Sequence, residues 1–208
     1  MARSSLSTLR RCALALAVAV GASAQNNRAG DELQFSADSL VLDAPTNMMR
    51  AQQPRITQGN LRIAADDALA TAFEFNEAGE FRLTGNVRVD IDTASMAANS
   101  AVFMYANGQV SRGELEGTPV SFSAVDAATQ RKVTGYAGKM SYDNVGRTLR
   151  MSGSASVQME TREVVGCDLI YDLRAERVTS GSTECEEKFR VRIRRDPDVG
   201  AATPNPPQ

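Results

Sequence analysis

The 208-residue chain contains no histidine. That removes the commonest general base and the commonest metal ligand at once. No Gly-x-Ser-x-Gly elbow, P-loop or Cys-x-x-Cys motif occurs. Asp66 and Asp67 are adjacent, so on a strand they would point to opposite faces and could not work as an acid and base pair. Asp38, Asp43, Asp143 and Asp172 fall at strand starts or turns, where aspartate is favoured for structural reasons. No catalytic group, metal ligand set or cofactor motif is therefore expected. Net charge is only −2, without a strongly basic stretch, which argues against a nucleic-acid partner. Cysteine is scarce, with three in all. No apolar run reaches the roughly 20 residues that a membrane-spanning helix needs.

The one short apolar run, Ala13 to Val20, follows Arg3, Arg10 and Arg11 and precedes Ala22-Ser23-Ala24. Basic residues, an apolar stretch and a small-x-small site form a secretory leader, here residues 1–24, with a retained anchor as the alternative. Cys12 belongs to that leader. Export exposes Cys167 and Cys185 to an oxidising compartment. They lie symmetrically about residue 176, so a hairpin turning near Ala175 to Arg177 would bring them face to face. A disulfide and two separate thiols are the alternatives, and the disulfide is the expectation carried forward.

What the chain does have is alternation. In "FRLTGNVRVDID", Phe81, Leu83, Val87, Val89 and Ile91 are separated by polar residues; in "LRMSGSASVQME", Leu149, Met151, Ala155, Val157 and Met159 repeat the design. Period two marks strands with one buried face. A longer repeat contains them. Segments starting at Ala37, Ala65, Ala98, Ala137 and Gly166 each carry apolar residues three and five positions later: Leu40/Leu42, Ala68/Ala70, Ala101/Phe103, Met140/Tyr142 and Leu169/Tyr171. Spacings of roughly 28 to 39 residues point to stacked supersecondary units. Gly59, Gly85, Gly117 and Gly153 follow at matching places, as though each strand bends over the next at a corner. Apart from a short helical pattern near Ala64 to Ala72, nothing sustains helical periodicity. The expectation is an all-β stack of roughly 14 to 17 strands from Leu33 to Arg194. Residues 25–32 precede the domain at 33–195, and the proline-rich residues 196–208 form a tail of disorder-prone composition.

The apolar face of such a stack has two uses. It can pack into an ordinary filled core, as in a structural β-repeat protein, or it can line a groove. Aliphatic and methionine linings suit flexible acyl chains. The groove reading assigns Leu83, Val87, Val89, Ile91, Leu149 and Met151 to the lipid, together with Leu40, Leu42 and Phe103 from the repeat. The last alternating phrase places Phe189, Val191 and Ile193 between arginines. It is either a charge-guarded edge or an edge that accepts a partner's strand.

Five phrases carry a resemblance: "ITQGNLRIAADD", "LTGNVRVD", "GELEGTPVSF", "GYAGKMSYDNVGRTLRMSGSASVQ" and "GCDLIYDLRAERV". In this order, behind a leader, the chain resembles the periplasmic lipopolysaccharide-transport proteins of the LptA (OstA-like) family. The resemblance implies an elongated β-jellyroll slit along one side, whose interior shields the acyl chains of lipid A. It implies Phe122, Met140 and Tyr142 as interior positions and Leu33 and Phe35 at the entry edge. It further implies edge-strand pairing with LptC-like inner-membrane and LptD-like outer-membrane jellyrolls, head-to-tail self-association, and a periplasmic bridge between the two membranes. An anchored LptC-like subunit is the alternative within the same pathway. One extra repeat near the start, the mature cysteines and the tail depart from the family pattern.

Overall fold

A computed structural model describes residues 32–71, 78–125, 130–181 and 188–193. The expected leader, the proline-rich tail and Cys185 lie outside these residues. The described chain is all-β, with fourteen strands in one antiparallel network. In chain order they are β1 (Gln34–Ser36), β2 (Ser39–Asp43), β3 (Met48–Gln52), β4 (Arg55–Gln58), β5 (Leu61–Ala64), β6 (Asp67–Thr71), β7 (Gly79–Ile91), β8 (Ala94–Ala106), β9 (Gln109–Val125), β10 (Lys132–Asp143), β11 (Thr148–Met159), β12 (Arg162–Asp172), β13 (Arg177–Ser180) and β14 (Arg190–Ile193).

The long strands β7 to β12 each serve two sheets. Pairing slips in mid-strand, between Thr84 and Val87 on β7, Ala97 and Ser100 on β8, Ala137 and Lys139 on β10, and Ser152 and Ala155 on β11. Each slip is a bulge, which bends and twists its strand. At two of them the backbone takes the left-handed region, at Gly85 and Asn86 and again at Gly153 and Ser154. Gly85 and Gly153 are cheap there because they carry no Cβ. The bends line up into a corner, and Gly138 meets the Gly153 backbone across it.

Two facing sheets result. The first runs β2-β3-β6, then the outer half of β7 through β12, and ends on β13. The second runs β1-β4-β5, then the other halves, and ends on β14. Aromatic contacts join them across the interior: Phe35 to Phe81 at 6.0 Å and Phe122 to Tyr171 at 5.3 Å between ring centroids. The sheets are continuous at the corner, and among the described residues they are joined by side chains along the opposite, slit side. This is the expected slit β-jellyroll.

Inside and outside follow the alternation. Phe81, Leu83, Val87, Val89 and Ile91 are buried, while Arg82, Arg88 and Asp90 are exposed. The repeat pairs fall on β2, β6, β8, β10 and β12 of the first sheet, and those on the last four are buried.

Three expectations are corrected. Gly59 lies in the β4–β5 hairpin turn with φ 56°, not at a strand bend. Of the stretch near Ala64 to Ala72, the described residues as far as Thr71 hold the end of β5 and strand β6, not helix; Ala68 and Ala70 pair with Leu83 and Phe81. The hairpin pairs Asp172 with Arg177, so its centre lies earlier than residue 176 and the symmetry about that residue fails.

Candidate functional site

The interior is lined by the residues expected from alternation and resemblance. Leu83, Val87, Val89, Ile91 and Phe103 are at most 2% exposed. Phe122, Met140, Tyr142, Leu149 and Met151 are likewise buried. They join one apolar cluster with methionines 49 and 96. Side chains meet across it, so the two sheets are in contact in this state. Phe103 shows the packing tightness: its ring covers Gly113, where an added Cβ would sit 2.3 Å from the ring.

The cluster changes character at both ends. On β2, Leu40 and Leu42 pair with the buried Ala51 and Met49 and share their inner face, yet are 48% and 53% exposed. Leu33 and Phe35, at β1, are partly buried against the cluster. At the other end, Val191 pairs with the buried Val164 but is 51% exposed, and Phe189 and Ile193 are also exposed. The inner face therefore runs past its cover at each end. Among the described residues β1 and β2 are edges at the first end and β13 and β14 at the second, each with one neighbour. Exposed edges offer unpaired backbone groups to another strand.

The slit side is polar. Gln58, on β4, donates from Nε2 to the Gly108 carbonyl at 2.6 Å and accepts from the Val110 amide at 2.9 Å, tying the β4–β5 turn of one sheet to the β8–β9 turn of the other. Next along, Arg147 of the β10–β11 turn forms an ion pair with Asp92 of the β7–β8 turn, and Asn60 donates to Asp92 at 2.7 Å. Further on, Glu176 of the β12–β13 turn shares a recess of about 210 Å³ with Arg131, Lys132 and Glu160 from the opposite sheet. In the first two cases the turn met in the second sheet is not the neighbouring hairpin in the chain: β8–β9 meets β4–β5 rather than β7–β8, and β10–β11 meets β7–β8 rather than β9–β10. These ties are not legible along the chain, because Gln58, Asp92 and Arg147 lie far apart in it and look only like turn residues.

Beneath the middle tie, Arg147 donates to the Tyr142 hydroxyl at 3.1 Å, and that hydroxyl donates to Asn144 at 2.8 Å. Burial and the nearby Asp143 push the Tyr142 hydroxyl up to about 12. Burial and Arg174 lower Arg147 from its usual value. Tyr105, buried beside Glu80, is also pushed up to about 12 and donates to the Thr71 carbonyl. Asp143 and Asp172 each cap their own turn through two backbone N–H bonds, the structural role expected of them. Asp66 accepts from Asn86 at 2.7 Å and so braces the bend in β7.

Cys167 is disulfide-bonded. Among the described residues no group of three or more histidine, cysteine or acidic side chains could hold a metal ion, and no helix could cross a membrane.

No curated protein matches the chain. Among solved structures, the chain is similar to LptH, described as the LptA-homologous periplasmic component of the conserved lipopolysaccharide transport device from Pseudomonas aeruginosa. The identity is 14% and the TM-score 0.49, over 80% of this chain and 99% of that one. The family model for the LptA/(LptD N-terminal domain) LPS transport protein matches residues 69–177, from β6 to the first residue of β13. That match takes in more than half of the chain and all six long strands that carry the corner. The chain accordingly belongs to the LptA/LptD N-terminal domain family and has a role in lipopolysaccharide transport.

Proposed function

We propose that the protein is a periplasmic carrier that holds the acyl chains of lipopolysaccharide between its two sheets and hands the lipid on through its ends. The observation that carries this reading is the continuous apolar inner face, from Leu40 and Leu42 through the buried cluster to Val191 and Ile193. A structural core has no need to extend its apolar face beyond its cover at both ends. A relay does, because a partner strand added to either edge would continue the face across the junction and keep hydrocarbon from water.

In this reading Phe122, Met140, Tyr142, Leu83, Val87, Val89, Ile91, Phe103, Leu149 and Met151 contact the acyl chains. Methionine suits the task because it repacks with little strain. Leu33, Phe35, Leu40 and Leu42 form the first junction, with an LptC-like inner-membrane jellyroll or another copy. Phe189, Val191 and Ile193 form the second, with another copy or an LptD-like outer-membrane jellyroll. Together the copies bridge the two membranes. The chain acts by binding rather than by catalysis, and the energy for transport comes from its partners. Cys167 pairs with Cys185 and secures the chain between β12 and β14.

The test is mass spectrometry of lipid extracted from protein purified out of the periplasm. Stoichiometric lipopolysaccharide is the expected result. Lipid-free protein after purification from cells that make lipopolysaccharide would favour a β-repeat protein with a permanently filled core.

A further inference from the structure

An interior filled by its own side chains has to open before it can take hydrocarbon. The fold leaves few ways to do this. The corner cannot part, because β7 to β12 run through it covalently. The ends are narrow edges. The slit side is different: its two rows of turns are held together by side chains, through Gln58 on Gly108 and Val110 and through Asp92 on Arg147. Such ties are weak in water and break without disturbing a backbone ladder.

The surroundings of the middle tie suit an amphiphile. A recess of about 400 Å³ opens over it, lined by Asn60, Asp92, Gln109, Asn144, Arg147 and Arg174. The apolar cluster begins directly below, at Leu61, Val110 and Tyr142. Asp143 and Asp172 cap their own turns, and Arg174 stands exposed near both Asp172 and Arg147. A polar headgroup can rest on the outer rim, at Asn144 and Arg174, while hydrocarbon passes between the lips.

Resting on the lipid-binding reading above, we propose that the slit is a lateral portal for lipid, and that the Asp92–Arg147 tie is the latch that parts to admit acyl chains. Lipid enters sideways through the lips; the ends serve for passage between subunits.

The experiment uses the full mature chain carrying Asp92→Cys and Arg147→Cys. One sample is tied with a short bis-maleimide; the other is capped with N-ethylmaleimide, which removes the latch without joining the lips. Cys167 is already disulfide-bonded and stays out of the reaction. Asp92 and Arg147 both have positive φ, 53° and 54°, so a second pair, Gln58→Cys with Gln109→Cys, repeats the test at positions without that constraint. Fluorescent lipopolysaccharide is the probe, with thermal melts to establish folding. Loss of uptake in the tied protein, with uptake retained in the capped one, is expected at either pair. Equal uptake by tied and capped protein would overturn the portal in favour of entry through the ends. Loss in both samples of a folded variant would make the tie part of the binding surface rather than a latch, and would overturn it as well. If the wild-type protein takes up no lipid, the carrier reading itself fails and the portal falls with it.

Discussion

Phe103 and Gly113 face each other on β8 and β9, and the pair offers a quantitative test of the interior. Phe103 is fully buried and its ring occupies the space over Gly113, with Cε1 2.3 Å and Cδ1 2.7 Å from where a Cβ would be. Phe103→Ala should cost about 3–5 kcal/mol, the transfer term plus a cavity. Gly113 does not have a positive φ, so Gly113→Ala meets no backbone objection, only the ring. Overpacking of that kind costs about 1–3 kcal/mol. In the double variant the new methyl enters space that the ring has left. The combined cost should therefore fall short of the sum by about 1 kcal/mol or more, a coupling expected only of residues in contact. Urea unfolding followed by circular dichroism measures all four corners of the cycle. Additivity within about 0.5 kcal/mol would refute the packing described for this pair.

Alkaline pH should destabilise the fold through its buried tyrosines. Tyr105 and Tyr142 are pushed from 10 to about 12 in the folded protein. The unfolded chain thus loses those protons first, and stability should be intact below pH 10 and fall as pH rises from 10 towards 12. Denaturant midpoints across that range, with Tyr142→Phe as the control that shallows the fall, check it. Reduction of the Cys167 disulfide should lower stability by about 2–4 kcal/mol in the chain-entropy account. Thiol labelling of denatured, unreduced mature protein should find neither Cys167 nor Cys185 free; two reactive thiols would contradict the pairing.

Period two carried far in this chain. The inward set on β7 could be picked out because Leu83, Val87, Val89 and Ile91 alternate with charged or amide residues, and a one-residue slip would expose them all. Gly85 and Gly153 marked the corner correctly, since bulges there need positive φ. Gly59 misled, because a hairpin turn asks for the same φ and local sequence does not separate the two uses. The apparent helix near Ala64 to Ala72 arose from alanines, which are strong helix formers; cross-strand pairing with β3 and β7 overrides that propensity. The ties across the slit escaped notice for another reason. Gln58 and Gly108 are 50 residues apart and Asn60 and Asp92 are 32 apart, and their contacts exist only once the two sheets face each other. Exposure of Leu40, Leu42, Val191 and Ile193 was equally hidden, because alternation tells which face a residue takes and not whether that face is covered.

The central claim is that the interior takes up acyl chains. Photo-crosslinking residues placed singly at Leu83, Phe122 and Tyr142, which face inward, and at Arg88, which faces solvent, test it in cells. Irradiation followed by detection of lipopolysaccharide on the protein should give adducts at the three inward sites and none at Arg88. Equal capture at all four positions, or capture at Arg88 alone, would contradict an interior lipid site.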